Sequence, residues 1–65
     1  MATIGSVKDI MSHIKDGDSK YTTLITACSE QEVYSNFYFN FPYEMKQLDV
    51  TLIEIEPGHI ILHVL

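Results

Sequence analysis

The stretch DVTLIEIEPGHIILHVL, residues 49–65, decides the fold because it predicts a β-hairpin and fixes which side chains share a face. Proline presets φ at the first turn position, and glycine accepts the positive φ that a type II turn needs at the second. Pro57-Gly58 therefore predicts the turn. A two-residue loop sets the register and places Glu56 opposite His59, Ile55 opposite Ile60, Ile53 opposite Leu62 and Thr51 opposite Val64.

Both faces of this hairpin carry apolar side chains. The last three of those pairs form one almost wholly apolar face. In an antiparallel sheet, a face that contacts solvent normally carries polar residues. We therefore expect a sheet that is covered on both sides, with the final strand either in its interior or buried at a dimer contact. The second face mixes acids and histidines with aliphatic residues: Glu54, Glu56, His59 and His63 among Val50, Leu52, Ile61 and Leu65.

The beginning of the chain predicts a helix of about ten residues. Ser6 is a candidate N-cap, with Asp9 three residues later as in a capping box. Gly17 is the candidate for the positive-φ residue that ends the helix. One apolar stripe follows at helical spacing, made of Val7, Ile10, Met11 and Ile14.

Two further strands are predicted at residues 21–28 and 33–40, from their β-branched and aromatic content and their alternation. With a turn at residues 29–32, Leu24 lies opposite Phe37. The same register pairs Cys28 with Val33 and Thr22 with Phe39. The apolar face would then hold Leu24, Val33, Phe37 and Phe39, and the other face Tyr34, Asn36, Tyr38 and Asn40.

The segment between the hairpins, FPYEMKQLD, predicts one or two helical turns, because Pro42 suits a first turn and Phe41, Met45 and Leu48 could face inward. The predicted fold is α+β: an N-terminal helix packed on a four-stranded antiparallel sheet, in the order α-β-β-(short α)-β-β, as a two-layer sandwich. The strand order stays open, with a simple meander as one option.

The size and charge of the chain exclude several classes of function. The 65 residues are expected to form a single domain, residues 1–65, whose small core favours reinforcement by a homodimer. The net charge of −5, no arginine and only four scattered lysines argue against direct nucleic-acid binding. Neither a membrane-spanning apolar run nor a secretory signal is present, so a cytoplasmic location is expected.

One helix can cover only one side of the sheet, and the other side has the mixed composition of a protein interface. The alternative explanation is that exposed Tyr, Thr and Ile simply have high strand propensity, and the interface interpretation is favoured over it. The covering molecule could be a second copy, which is the commoner case, or a different protein. The predicted partner-binding residues are Tyr21, Ile25, Tyr34, Asn36, Tyr38, Leu52 and Ile61.

Few residues suggest chemistry. A carboxylate–imidazole set, Glu54, Glu56, His59 and His63, could bind a divalent metal and gives the alternative function, a small metal-binding domain. His59 and His63 would lie about 13 Å apart along one strand, which argues against a shared ion. Cys28 is expected in the core. Because no catalytic or nucleotide-binding motif occurs, neither an enzyme nor a cofactor is predicted.

Three stretches, SVKDIMSHIKDGD, NFPYEMKQLDVTLIEIE and HIILHVL, resemble small accessory proteins of phages and mobile elements of low-GC Gram-positive bacteria. The resemblance rests on an initial V-K-D-I/L helix, a proline-containing turn before a V-x-x-I strand and a final apolar strand. It implies a non-enzymatic protein–protein interaction module that binds, and could inhibit, a host protein. It implies no functional residues, because these proteins share no site motif.

Overall fold

Five strands and two short α-helices make up the protein, seen in a computed structural model that describes residues 2–65. Residue 1, which the single-domain prediction includes, lies outside this range. Two 3-10 turns, at residues 17–19 and 38–40, connect the elements. In chain order the elements are β1 (Gly5–Ser6), α1 (Val7–Ser12), β2 (Tyr21–Thr26), β3 (Glu32–Phe37), α2 (Tyr43–Lys46), β4 (Asp49–Glu56) and β5 (His59–Val64).

The strands form one mixed sheet in the order β1-β4-β5-β2-β3. The α+β class is therefore confirmed, but the prediction of four antiparallel strands is wrong in two respects. A short extra strand, β1, pairs with the start of β4, and β5 runs parallel to β2. The two hairpins join through β5, whose apolar residues on both faces suit a central strand. The predicted interior position of the final strand is confirmed.

The C-terminal hairpin has the predicted register for most of its length. Ile55 faces Ile60 and Ile53 faces Leu62, and the turn contains Gly58 at φ +73°. The predicted pairing of Thr51 with Val64 is wrong, because a bulge between Val50 and Leu52 places Val50 opposite Val64. This bulge buries an apolar side chain in place of a hydroxyl, which avoids the cost of burying a polar group.

The predicted register of β2 and β3 is wrong. Leu24 lies opposite Tyr34 rather than Phe37, a shift of three residues. Strand β2 ends at Thr26, whose hydroxyl accepts a hydrogen bond from the Gln31 N–H at 3.2 Å. The connection from β2 to β3 is therefore longer than the predicted turn, and Glu30 within it adopts a left-handed φ of 55°. An odd shift moves every side chain of a strand to the opposite face, so the alternation of β3 is inverted.

This inversion changes the core. Tyr38 is buried, and Tyr34 packs against the core with its ring edge-on to Phe41 at 4.9 Å between centroids. The predicted core residues Phe37 and Phe39 are exposed instead. Val33, Ile55 and Cys28, also expected in the core, are exposed as well. The buried apolar core comprises Val7, Met11, Leu24, Tyr38, Phe41, Val50, Ile60, Leu62 and Val64.

Helix α1 begins as predicted, because the Ser6 hydroxyl accepts a hydrogen bond from the Asp9 N–H at 3.2 Å. It is shorter than expected, with six residues. The residue with positive φ after it is Asp16, at 57°, and not Gly17. Gly17 is required for space instead, since a Cβ there would lie 2.8 Å from the Met11 carbonyl oxygen.

The second predicted helix is confirmed as a single turn, α2, which follows Pro42. Phe41 is buried, and Met45 and Leu48 pack against the core, as predicted. Within residues 2–65, no helix is long and apolar enough to cross a membrane. Helices and core residues thus lie against one side of the sheet, and the other side carries no helix.

Candidate interaction surface

The side of the sheet away from the helices is called the open face here. The registers of the four long strands place its residues in three rows across β4, β5, β2 and β3. The rows are Leu52, His63, Ile25 and Glu32; then Glu54, Ile61, Thr23 and Ser35; then Glu56, His59, Tyr21 and Phe37.

The structure brings four of the predicted partner-binding residues together on the open face: Tyr21, Ile25, Leu52 and Ile61. The other three predictions are wrong in placement. Tyr34 and Asn36 face the helix side because of the register shift, and Tyr38 lies in a 3-10 turn within the core. Sequence reasoning therefore missed the aromatic residues supplied to the open face by the end of β3 and by the 3-10 turn that follows it.

Those aromatic residues are Phe37 and Phe39, and they extend a continuous strip of rings. Phe39 stacks on Phe37 at 5.7 Å, and Phe37 meets Tyr21 edge-on at 5.3 Å. Tyr21 in turn contacts the His59 ring at 5.6 Å. Phe39, Phe37 and Tyr21 are 62%, 44% and 39% exposed. We call Phe39, Phe37, Tyr21 and His59 the aromatic strip. It leaves large rings in contact with water, which is the composition of an interface anchor.

A hydrogen-bonded network holds the His59 end of the strip in place. The Thr23 hydroxyl bonds to His59 Nε2 at 2.8 Å and to the Ser35 hydroxyl at 3.0 Å. The Glu56 carboxylate lies 3.6 Å from His59 Nδ1. This Glu–His–Thr order has the connectivity of a catalytic triad, but acyl transfer also needs donors aimed at a developing oxyanion. Because β2 pairs with strands on both sides, its backbone N–H groups are engaged in the sheet. The network therefore fixes the ring of His59.

His63 is the most constrained polar group of the open face. Its side chain is only 11% exposed, and its Nε2 atom has no hydrogen-bond partner among residues 2–65. The Glu54 carboxylate lies 3.6 Å from this atom. A buried polar atom without a partner costs free energy that a well-packed apolar residue would not cost.

Replacement of His63 by leucine is therefore expected to raise the free energy of unfolding by about 1 kcal/mol. Urea denaturation followed by circular dichroism measures this change. His59→Leu is the matched control and is expected to lose stability, because it removes the hydrogen bond to Thr23. A less stable His63→Leu variant would show that Nε2 is effectively paired.

The histidines and glutamates of the open face form two separate pairs, Glu56 with His59 and Glu54 with His63. In the part of the chain that the structure describes, no group of three or more histidine, cysteine or acidic side chains is placed to hold a metal ion. The pairs therefore give no geometric support to the alternative metal-binding function.

All fixed charges of the open face are negative. Glu32, Glu54 and Glu56 belong to its rows, and none of the four lysines does. Both Glu54 and Glu56 keep more than half of their side-chain area exposed. The face is therefore an aromatic and aliphatic surface with an acidic edge along β4.

Tyr38 contributes to the other side of the molecule. Burial first, and then the nearby Asp18 carboxylate, raise its pKa above the ordinary value of 10.0. The folded state thus favours the neutral phenol. The contribution of Tyr38 to the free energy of unfolding is fully present below pH 10.0, the pKa of this side chain in the unfolded chain. The contribution is lost as the pH rises from 10.0 through the higher folded-state pKa.

We expect the wild-type protein to lose stability at alkaline pH partly through Tyr38, so Tyr38→Phe should lose less. Urea midpoints at about pH 8 and pH 11 measure the difference. Tyr43→Phe, at a 67% exposed site, is the matched control and should behave as wild type. An equally steep alkaline loss in Tyr38→Phe and wild type would contradict the assignment.

Comparisons of the chain with protein-family models, curated proteins and solved structures gave no significant match.

Proposed function

We propose that this chain is a non-enzymatic protein–protein interaction module that docks a partner protein on the open face of its sheet. The observation that carries the proposal is the aromatic strip: three exposed rings in a continuous row, which ends at the hydrogen-bonded His59. Rigid aromatic residues are favoured as anchors because they bury large areas with little loss of conformational entropy. Leu52, at 52% exposure, adds an aliphatic contact on the opposite side of the face.

The charge of the open face indicates the chemistry of the partner. Its fixed charges are Glu32, Glu54 and Glu56, so a basic surface would be complementary. Two copies packed face to face would bring two sets of carboxylates and no lysine of the open face into one interface, and such like charges oppose association. A different protein with an apolar centre and a lysine- or arginine-rich rim is therefore favoured over the homodimer. The resemblance to phage accessory proteins supports a host protein of the cytoplasm in this role.

Site-specific photo-crosslinking tests the proposal. A benzophenone amino acid in place of Phe39 should yield one dominant adduct in an extract of the source cells. The same substitution at Tyr43 is the matched control, because Tyr43 is equally exposed on the helix side. The purified adduct partner should then bind the wild-type chain in isothermal titration calorimetry.

Two outcomes would contradict the proposal. One is equal crosslinking from both positions. The other is a partner whose affinity does not respond to changes on the open face. A self-adduct, together with a dimer in sedimentation velocity, would replace the basic partner by a second copy of the chain.

The acidic edge gives a separate prediction. A Glu54→Gln, Glu56→Gln double variant is expected to associate with the partner about tenfold more slowly at low salt, because electrostatic steering acts mainly on the association rate. Stopped-flow measurements over a salt series would show this. A Glu30→Gln, Glu44→Gln variant carries the same charge change away from the open face and should bind as wild type. Equal rates for wild type and the Glu54, Glu56 variant would refute the steering.

A further inference from the structure

A cleft of about 310 Å³ opens on the helix side of the protein, away from the open face. It lies between α1, α2 and the two 3-10 turns, and none of its residues belongs to the aromatic strip. Its volume is at the lower end of the range for small-molecule sites, which suits one small ligand and not a dinucleotide. The lining residues are Lys8, Met11, Ser12, Asp18, Tyr38 and Lys46.

The cleft concentrates positive charge in an acidic protein. Of the four lysines in the chain, Lys8 and Lys46 line it. Within residues 2–65, the ion pairs of the molecule involve histidines only, so neither lysine is neutralised by a carboxylate. The Lys46 ammonium lies over the Tyr38 ring, 5.2 Å from its centroid, and this cation–π contact holds it at the cleft.

Tyr38 adds a hydrogen-bond donor. The residue is only 6% exposed, yet it lines the cleft. Its pKa lies above the ordinary value of 10.0, because of burial and the nearby Asp18 carboxylate, so the group is a neutral phenol at neutral pH. A neutral phenol can donate one hydrogen bond to a ligand oxygen.

The cleft also offers hydrogen-bond acceptors. Asp18 supplies a carboxylate. The Ser12 hydroxyl donates to the Asp9 carbonyl oxygen at 2.7 Å and lies 3.4 Å from His13 Nδ1, and an oxygen with two lone pairs can accept a further hydrogen bond. Met11, which is buried, provides an apolar wall. Such a lining suits a molecule that has both an anionic group and hydroxyl groups.

We propose that this cleft binds a small hydroxylated phosphate monoester, with the phosphate contacted by Lys8, Lys46 and the Tyr38 hydroxyl, and with hydroxyl groups of the ligand bonded to Asp18 and Ser12.

A phosphate fits the donors better than a carboxylate does. A phosphate monoester carries a charge of about −1.5 to −2 at neutral pH and three terminal oxygens, which matches two ammonium groups and one phenol. A carboxylate offers one charge and two oxygens. Asp18 repels a bare anion, so inorganic phosphate should bind more weakly than an ester whose hydroxyls reach Asp18.

Ribose 5-phosphate is a suitable probe, titrated into ¹⁵N-labelled protein at physiological salt, with ribose and inorganic phosphate as parallel ligands. We expect saturable shifts at the amides of the lining residues, weaker binding of inorganic phosphate and no binding of ribose. Lys8→Gln and Tyr38→Phe should each weaken the ester about tenfold, the size of one charge-assisted hydrogen bond. Asp18→Asn should weaken the ester and strengthen inorganic phosphate.

Lys15→Gln and Lys20→Gln are matched controls, since they remove the same charge outside the cleft and should leave the affinity unchanged. Circular dichroism establishes that each variant is folded. Three results would overturn the proposal: no saturable shift up to about ten millimolar ester, equal losses in the control lysine variants, or ribose binding as tightly as its phosphate. All three are independent of the open face, so the docking proposal stands or falls separately.

Discussion

Leu62→Ala is expected to lower the free energy of unfolding by about 3–5 kcal/mol, the usual loss for a fully buried leucine in a core that cannot collapse around the cavity. Leu62 is 0% exposed and lies in the central strand β5, flanked by Ile53 on β4 and Leu24 on β2. A chain of this size rarely holds more than about 3–5 kcal/mol of stability. The variant should therefore be mostly unfolded at room temperature, as measured by circular dichroism and urea denaturation.

Ile55→Ala is the matched control for this loss. The alternation of the hairpin places Ile55 on the same face as Leu62, but Ile55 lies beyond the cover of the helices and is 70% exposed. Its truncation should cost less than about 0.5 kcal/mol. Similar losses at both positions would mean that the helix layer covers β4 over its full length, contrary to the structure.

Phe37→Ala is expected to weaken binding of the crosslinked partner by about 2 kcal/mol or more, roughly thirtyfold, as for a central aromatic anchor. Phe37 contacts both Phe39 and Tyr21, so its removal separates the strip into two parts. Isothermal titration calorimetry with the purified partner measures the loss. The substitution should have little effect on the fold, because Phe37 is half-exposed at the end of an edge strand.

Tyr43→Ala removes an exposed aromatic ring, at 67% exposure against 44% for Phe37, from α2 on the helix side. It should leave partner affinity within about twofold of wild type, as neutral surface changes usually do. If Tyr43→Ala weakens binding and Phe37→Ala does not, the partner docks on the helix layer and the function proposed for the open face is refuted.

The C-terminal hairpin was predictable because its turn leaves few choices. Pro57-Gly58 fixes a two-residue loop, and the loop fixes the register of the residues beside it. Only the bulge at Thr51 was missed, since it results from the preference of the core for Val50 and not from the turn. The Ser6 cap and the short helix after Pro42 were also readable, because both are encoded within a few residues.

The β2–β3 hairpin was not predictable in the same way, because its turn contains neither glycine nor proline. The loop begins after Thr26, where the Thr26 hydroxyl contacts the Ser29 hydroxyl at 2.6 Å. This pair of hydroxyl residues was the available local signal, since serine and threonine side chains stabilise turns. The parallel pairing of β5 with β2 depends on contacts distant in sequence, which no local pattern encodes.

About half of the candidate site could therefore be predicted from the sequence. Residues of β2 and the C-terminal hairpin, Tyr21, Ile25, Leu52 and Ile61, lie on the expected face. Both Tyr34 and Tyr38 were expected beside them and are in or against the core, while Phe37 is on the surface. The aromatic character of the surface was thus foreseen, but the rings that supply it were not. A strand such as β3 carries aromatic residues on both faces, so either face could pack against the core. Only the register decides which of its side chains are buried.

The ring contacts of β3 test this register, and with it the existence of the aromatic strip, most directly. Nuclear Overhauser spectroscopy of the protein in solution should show the Tyr34 ring against Phe41 and the Tyr21 ring against Phe37, the pairs at 4.9 and 5.3 Å between centroids. Contacts of the Phe37 ring with the Leu24 methyl groups, with Tyr38 beside Thr23, would instead show the register shifted by three residues. The open face would then lack Phe37, and the proposed docking surface would not exist.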